Sequence, residues 1–282
     1  MELINGKEIS CFIKNKIAEE VADLGQKGIQ PGLAVIIVGS DPASKVYVGS
    51  KEKACIDLGM YSEKYELPEN TSEQELLSLI QRLNSDNRIH GILCQLPLPS
   101  HINEETVINH IIPSKDVDAF HPQNVGKIMI GNYDYLPCTP AGIMEMLKYK
   151  NIDVTGKHCV IIGRSNIVGK PMLMLMLHSN ATVTVCHSKT VGLTEICKKA
   201  DILVAAVGQP KFVTADMVKD GAIVIDVGIN RNSDGKLCGD VDFDNVAPKC
   251  SYITPVPGGV GPMTIATLMQ NTLTSAKKAN NL

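Results

Sequence analysis

Tyr47 and Lys51 stand four residues apart, so on a helix they share one face. An aromatic ring beside an ammonium group can hold a flat ring and set a charge next to it. The same pair also fits a solvated lysine beside a half-buried tyrosine. Gln95 closes the apolar run 89–94, and the carboxyl end of a parallel strand is where open α/β sheets place ligand contacts. The same amide could simply tie down the Leu-Pro-Leu-Pro turn that follows. Asp116 and Asp118 are two apart, as in acid/base or metal pairs. No His, Cys or Asp set with ligand spacing accompanies them, so no metal is expected. His121, beside Pro122, reads as a loop residue and not as a catalyst.

A second chemical feature is 158–171, HCVIIGRSNIVGKP. The run 159–162 is apolar throughout, as in a strand buried on both faces. Gly163 stops it, Ser165 and Asn166 can cap the helix that follows, and Gly169 lets two backbones approach. Strand, tight turn and helix point free N–H groups at a phosphate. The turn is not GxGxxG, and the same pattern also serves a plain α/β turn that binds nothing. The next strand, 182–186, ends in His187-Ser188-Lys189-Thr190. NAD sites often carry an acid there to accept the ribose hydroxyls. Ser188 and Lys189 suit a 2′-phosphate instead, so the residues lean to NADP. The stretch 255–264, PVPGGVGPMT, is a shaped backbone loop that can line a pocket or serve as a tight linker.

The elements that must position these residues alternate between strand and helix. Helices are expected at 8–25, 42–58, 104–111, 139–149, 172–177 and 264–278, and a capping box, Ser72-x-x-Glu75, opens another. Asp41-Pro42 and Thr139-Pro140 read as N-cap and first-turn pairs. Strands are expected at 33–38, 63–67, 89–94, 159–162, 182–186, 202–206, 222–227 and 252–254. This gives an α/β protein with parallel sheets, about three strands in the first half and about five in the second. Residues 121–138 lack periodicity and read as a connector. The break points to two domains with a cleft between them: a catalytic α/β domain at 1–120 and a Rossmann-like nucleotide-binding domain at 139–263. The last helix, within 264–282, is expected to pack back on the first domain.

The totals exclude several classes. The 282 residues carry a net charge of −3 and no Trp, so neither a basic field nor a base-stacking platform suits nucleic acid. No apolar run approaches membrane-spanning length, so no membrane partner is expected. The first residues lack a signal core, and the nine Cys are scattered without CxxC. Reduced thiols in a cytoplasmic protein, mostly small core residues, are expected.

Five stretches together resemble one family. They are Asp41-Pro-Ala-Ser with Tyr47-Val-x-x-Lys51, Gln95-Leu-Pro-Leu-Pro99, Lys115-Asp-Val-Asp118, Gly163-Arg-Ser-Asn-Ile-Val-Gly169-Lys-Pro171 and Pro255-Val-Pro-Gly-Gly-Val-Gly-Pro-Met-Thr264. The chain resembles, along essentially its whole length, the bifunctional methylenetetrahydrofolate dehydrogenase/methenyltetrahydrofolate cyclohydrolases. The resemblance implies NADP-dependent oxidation of 5,10-methylenetetrahydrofolate and hydrolysis of the methenyl product to 10-formyltetrahydrofolate. It places the protein in one-carbon metabolism that feeds purine biosynthesis, as a cytoplasmic homodimer. Lys51, Gln95, Tyr47 and Asp118 would form the catalytic set: Lys51 as the central residue, Gln95 bonded near it, Tyr47 stacked on the folate ring and Asp118 on the pterin amino edge. Pro257, Gly258 and Gly259 would help close the folate side. Gly163, Arg164, Ser165, Ser188 and Ile229 would line the NADP site. Whether Lys51 is a base or a charge that orients water stays open.

The sequence departs from the family at Ala119, where a Gly usually follows Asp118. The extra methyl is expected to crowd that loop and shift Asp118. Two alternative functions stay open. One is an NAD(P)-dependent dehydrogenase of another small molecule, which would leave Tyr47, Lys51 and Gln95 without a purpose. The other is a cyclohydrolase only, or a folate-binding scaffold without the redox step. A damaged nucleotide turn would favour that second reading, and 163–171 is intact.

Overall fold

The structure is a computed structural model that describes residues 1–232 and 234–282, without the side chains of Pro42 and Ala43. In chain order it begins with β1 (Glu2–Leu3), α1 (Gly6–Gln26), β2 (Gly32–Val38), α2 (Pro42–Asp57), β3 (Tyr61–Leu67), α3 (Glu73–Ser85), β4 (Gly91–Cys94), α4 (Glu104–His110) and α5 (Pro122–Met129). It continues with α6 (Cys138–Tyr149), β5 (His158–Ile162), α7 (Gly169–His178), β6 (Thr182–Cys186), α8 (Leu193–Cys197), β7 (Ile202–Ala205) and β8 (Ile223–Asp226). The last elements are β9 (Asn230–Arg231), β10 (Leu237–Cys238), α9 (Phe243–Val246), β11 (Tyr252–Ile253) and α10 (Val260–Ala279). These form two compact units, one of residues 12–136 with 265–282, the other of 1–11 with 137–264.

The first of these units is built on a three-stranded parallel sheet ordered β3-β2-β4. Every residue of β2, Gly-Leu-Ala-Val-Ile-Ile-Val, is buried, as a central strand without polar side chains must be. Ala34, Ile36 and Val38 of β2 pack against Leu76, Ile80 and Leu83 of α3 and Val107 of α4. The capping box forms: Ser72 Oγ accepts from Glu75 N, and Glu75 Oε2 accepts from Ser72 N. Residues of α10 tie into the same unit through buried polar groups. Asn271 Nδ2 donates to the carbonyls of Val117 and Leu136 at 2.8 Å each, and Ser275 Oγ donates to those of His90 and Ser114.

The expected connector 121–138 contains a helix, α5. His121 Nδ1 caps it by accepting from Gln123 N, and Asn124 and Ile128 are its buried residues. Two turns with one buried aliphatic side chain carry too few apolar positions for a helical period to show.

The other unit carries six parallel strands ordered β1-β11-β8-β7-β5-β6. Five were expected. The sixth, β1, is two residues long, has no readable period, and exists by pairing Glu2 with Tyr252 and Leu3 with Ile253. Taken from β5 onward, the order is 2-1-3-4-5, a doubly wound parallel sheet whose strand order reverses between β5 and β7. A short antiparallel ribbon, β9 with β10, also lies outside the expected strands. Thr139 does not cap α6. The cap position is Pro137, and Thr139 Oγ1 instead meets Thr264 Oγ1 at 3.0 Å. Among the described residues none of the nine cysteines is in a disulfide and no His/Cys/Asp/Glu group has metal-binding geometry. No described helix is long and apolar enough to cross a membrane.

Candidate active site

In the unit of residues 12–136 and 265–282, α2 starts where Asp41 Oδ2 accepts from Ser44 N at 2.7 Å, an N-cap bond that fixes the helix entry. One turn on, Tyr47 is half-buried, and burial pushes its phenol pKa up, so it presents a neutral ring. Lys51, a further turn along, is only 7% exposed. Its Nζ donates to Gln95 Oε1 at 2.8 Å. Gln95 in turn is held at both ends: its backbone N–H donates to Ile36 O and its Nε2 to Leu96 O. The amide oxygen therefore has one direction to face, toward the lysine, which only donates when protonated. A strand end thus fixes an acceptor and a helix brings a buried amine onto it.

The Asp116/Asp118 pair divides its work. Asp116 is 4% exposed and accepts from His121 N and Asn124 Nδ2, both at 2.8 Å. Burial raises its pKa against the pull of these donors. It braces the loop, and Lys115 Nζ anchors the same loop on the carbonyls of Leu83 and Asp86. Asp118 is half-buried, and among the described residues its carboxylate meets no protein donor. Ala119 adopts φ +57° and is fully buried. The left-handed backbone explains why glycine suits this position, and here an alanine bears the strain.

In the other unit, the turn after β5 lies at the reversal point of the sheet. Gly163 has φ +129°, and a Cβ there would come within 2.3 Å of the Ala206 carbonyl oxygen beyond β7. A Cβ on Gly169 would come within 2.2 Å of the Gly163 carbonyl oxygen. Both glycines are demanded by backbone packing. Ser165 Oγ accepts from Val168 N and Gly169 N, so it caps α7 from outside the helix. Asn166 does not cap; its Oδ1 accepts from Lys170 Nζ. Among the described residues, the N–H groups of 164–167 meet no protein acceptor, which leaves an exposed arc of donors for an anion. Ser188 and Lys189 are exposed at the end of β6, where Lys189 N donates to His187 Nδ1. Ile229 is 46% exposed after β8. Pro257, Gly258 and Gly259 fall in this unit too. Gly258 has φ +104° and accepts from Lys7 N.

The family model described as "Tetrahydrofolate dehydrogenase/cyclohydrolase, catalytic domain" matches residues 4–118, and the companion "NAD(P)-binding domain" matches 137–280. The chain belongs to the tetrahydrofolate dehydrogenase/cyclohydrolase family. It is 62% identical over 276 residues to the bifunctional protein FolD of Acetivibrio thermocellus, covering 98% of this chain and 97% of that one. The crystal structure of the bifunctional FolD enzyme from Campylobacter jejuni matches it with TM-score 0.97 and 53% identity over the whole of both chains. The FolD structure from Trypanosoma brucei, complexed with NADP cofactor and inhibitor, matches with TM-score 0.96 and 40% identity over 99% and 98% of the two chains. Membership makes this chain an enzyme with a dehydrogenase and a cyclohydrolase activity, as the motifs implied.

Within the family frame, the structure brings Lys51 onto Gln95, with Tyr47 on the same helix and Asp118 open in the same unit. Gly163, Arg164, Ser165, Ser188 and Ile229, the residues expected from the sequence to line the nucleotide site, sit at the carboxyl ends of β5, β6 and β8. Sequence reasoning missed two buried carboxylates there, Asp226 and Asp240, at 3% and 0% exposure. The available signal was an aspartate closing the apolar strand β8.

Proposed function

We propose that this enzyme oxidises 5,10-methylenetetrahydrofolate to the methenyl form with NADP and hydrolyses that product to 10-formyltetrahydrofolate. The observation that carries the reading is the buried Lys51 amine held on the Gln95 amide, in a chain whose other unit offers free turn amides at the sheet's reversal point.

The residues around the turn fit the cofactor. The arc 164–167 supplies N–H donors for a pyrophosphate, Gly163 and Gly169 allow its close approach, and Ser188 with Lys189 suits a 2′-phosphate. Ile229 offers an apolar surface beside the strand ends. When bound, NADP accepts the hydride that leaves the methylene carbon. The folate nitrogen donates electrons as that hydride departs, so the site's task in this step is orientation. Tyr47 stacks on the pterin, Asp118 accepts hydrogen bonds from its amino edge, and Pro257, Gly258 and Gly259 close the folate side.

The methenyl product is an amidinium-like cation that water attacks. The water loses one proton as the C–O bond forms. The hydroxyl then loses its own proton as the carbonyl forms and the C–N5 bond breaks. N5 takes up one proton, and one proton is released overall, leaving the formyl group on N10. Lys51 is the group for these proton movements, and Gln95 keeps its Nζ in place throughout.

The seven-residue β3 is an edge strand with its outer side unpaired in the sheet order, which supports a homodimer formed over that edge. The reading places the enzyme in the cytoplasm, where its product supplies formyl groups for purine biosynthesis.

A spectrophotometric assay tests this directly. Methylenetetrahydrofolate is supplied with NADP or with NAD, and methenyl is read after acid quench. Methenyl hydrolysis is followed separately without cofactor. Oxidation with NADP together with hydrolysis is expected. Hydrolysis without oxidation would reduce the protein to a cyclohydrolase, and neither activity in folded protein would overturn the proposal.

A further inference from the structure

The strongest unexplained feature is the buried aspartate pair beyond β8. Asp240 is fully buried, and its two oxygens serve four donors. Oδ2 accepts from Val207 N at 2.6 Å and Gly208 N at 3.0 Å; Oδ1 accepts from Gln209 N and Asn230 Nδ2, both at 2.9 Å. The first three donors belong to the loop leaving β7; the fourth is the first residue of β9, separated from the end of β8 by three residues. Both segments follow the carboxyl ends of neighbouring strands, β7 at the sheet's reversal point and β8 beside it, and the β7 loop begins at Ala206, whose carbonyl is the surface against which Gly163 packs.

Asp226 makes this reach possible. Its Oδ1 accepts from Asp240 N and Gly228 N and its Oδ2 from Val241 N, so it grips the backbone that carries Asp240. Two glycines leave room for the carboxylates. A Cβ on Gly228 would lie 2.3 Å from Asp240 Oδ1, and one on Gly239 would lie 1.8 Å from Asp226 Oδ2. Three consecutive backbone amides converging on one buried carboxylate is a clamp whose strength depends on its charge.

We infer that Asp240 is a positioning residue for the cofactor: its carboxylate locks the loops 207–209 and 228–230 into one surface and so fixes Ile229 and the floor beside the Gly163 turn for NADP. The inference rests on the reading of this unit as the NADP site. Asn at 240 keeps the shape but not the chemistry. One oxygen becomes an NH2 donor, so two of the four donors lose their acceptor whichever way the amide turns.

The test compares the wild type with Asp240→Asn by NADP calorimetry and by the split of KM for NADP against kcat. Hydrogen exchange of the 207–209 amides is followed alongside. The dissociation constant and KM are expected to rise roughly ten- to a hundredfold, the loss expected when charge-assisted bonds are broken, while kcat at saturating NADP falls far less. Exchange at 207–209 is expected to accelerate. A purely structural role would lower the melting temperature and leave the NADP affinity of the folded protein unchanged, and that result overturns the inference. Should Asp240→Asn fail to fold, Asn230→Ala removes a single donor and is expected to weaken NADP several-fold; unchanged affinity there overturns the inference equally. A wild type that binds no NADP would overturn the proposed function, and this inference with it. A wild type that binds and a variant that binds as well would overturn this inference alone.

Discussion

The lysine region and the nucleotide turn solve the problem of placing chemistry in opposite ways. In the proposed reading the working atoms around Lys51 belong to side chains, an amine, an amide, a phenol and a carboxylate, delivered by a helix, a strand end and a braced loop. Around Gly163 they belong to the main chain, and what the sequence supplies is the absence of side chains at two positions and two buried carboxylates that hold the neighbouring loops. The first region fails when a functional group is removed. The second fails when an atom is added or a buried charge is lost.

The largest expected effect follows from removing the amine. Lys51→Met should lower methenyl hydrolysis about a thousandfold, within the range for loss of a positioned proton-transfer group. Hydrolysis at a wild-type rate would remove Lys51 from the chemistry altogether.

Adding one methyl should strike the other region. Gly163→Ala places a Cβ against the Ala206 oxygen in a left-handed backbone. We expect a loss of about 2–3 kcal/mol in stability and a marked rise in the NADP dissociation constant. Denaturant unfolding with NADP titration checks both, and an unchanged variant would show that the backbone approach is not required.

A third effect is one of pH. Burial pushes the Asp226 carboxyl up to about 6, outweighing the three N–H groups that favour its charge. The folded state therefore holds this proton more tightly than the unfolded chain, whose value is near 3.8. Its contribution to stability is full below that lower value and is lost as pH rises to about 6, a change on the order of 3 kcal/mol. Urea unfolding across this window should show a steeper fall with rising pH for the wild type than for Asp226→Asn. Equal slopes would mean that the carboxyl titrates normally.

The smallest effect concerns Ala119. Replacing it by Gly relieves about 1 kcal/mol of left-handed strain, but removes a buried methyl and frees the unfolded backbone, each worth roughly as much. Thermal unfolding should place Ala119→Gly within about 1 kcal/mol of the wild type. A larger stabilisation would show that the methyl does crowd the loop.

How legible each region was in the sequence follows from the same contrast. Lys51, Tyr47 and Gln95 could be read as residue types at a helix period and a strand end, and β2 and β5 as unbroken apolar runs. The glycine turn could be read from spacing. What escaped was set by tertiary partners. The two-residue β1 exists because β11 offers an edge, and α5 because His121 caps it and Ile128 finds a core. Asp226 and Asp240 are fourteen residues apart and look like surface carboxylates until folding buries both. Asp116 and Asp118 looked alike in the sequence, and only the fold made one a brace and left the other open.

The most direct test of the division between the two regions is a crossed assay on one preparation each of Lys51→Met and Gly163→Ala. NADP affinity is measured by calorimetry on the first and cofactor-free methenyl hydrolysis on the second, below its melting temperature. The account predicts NADP affinity within about threefold of wild type for Lys51→Met, and hydrolysis retained by Gly163→Ala, since neither change touches the other region's working atoms. Loss of NADP binding in Lys51→Met, or loss of hydrolysis in folded Gly163→Ala, would contradict it.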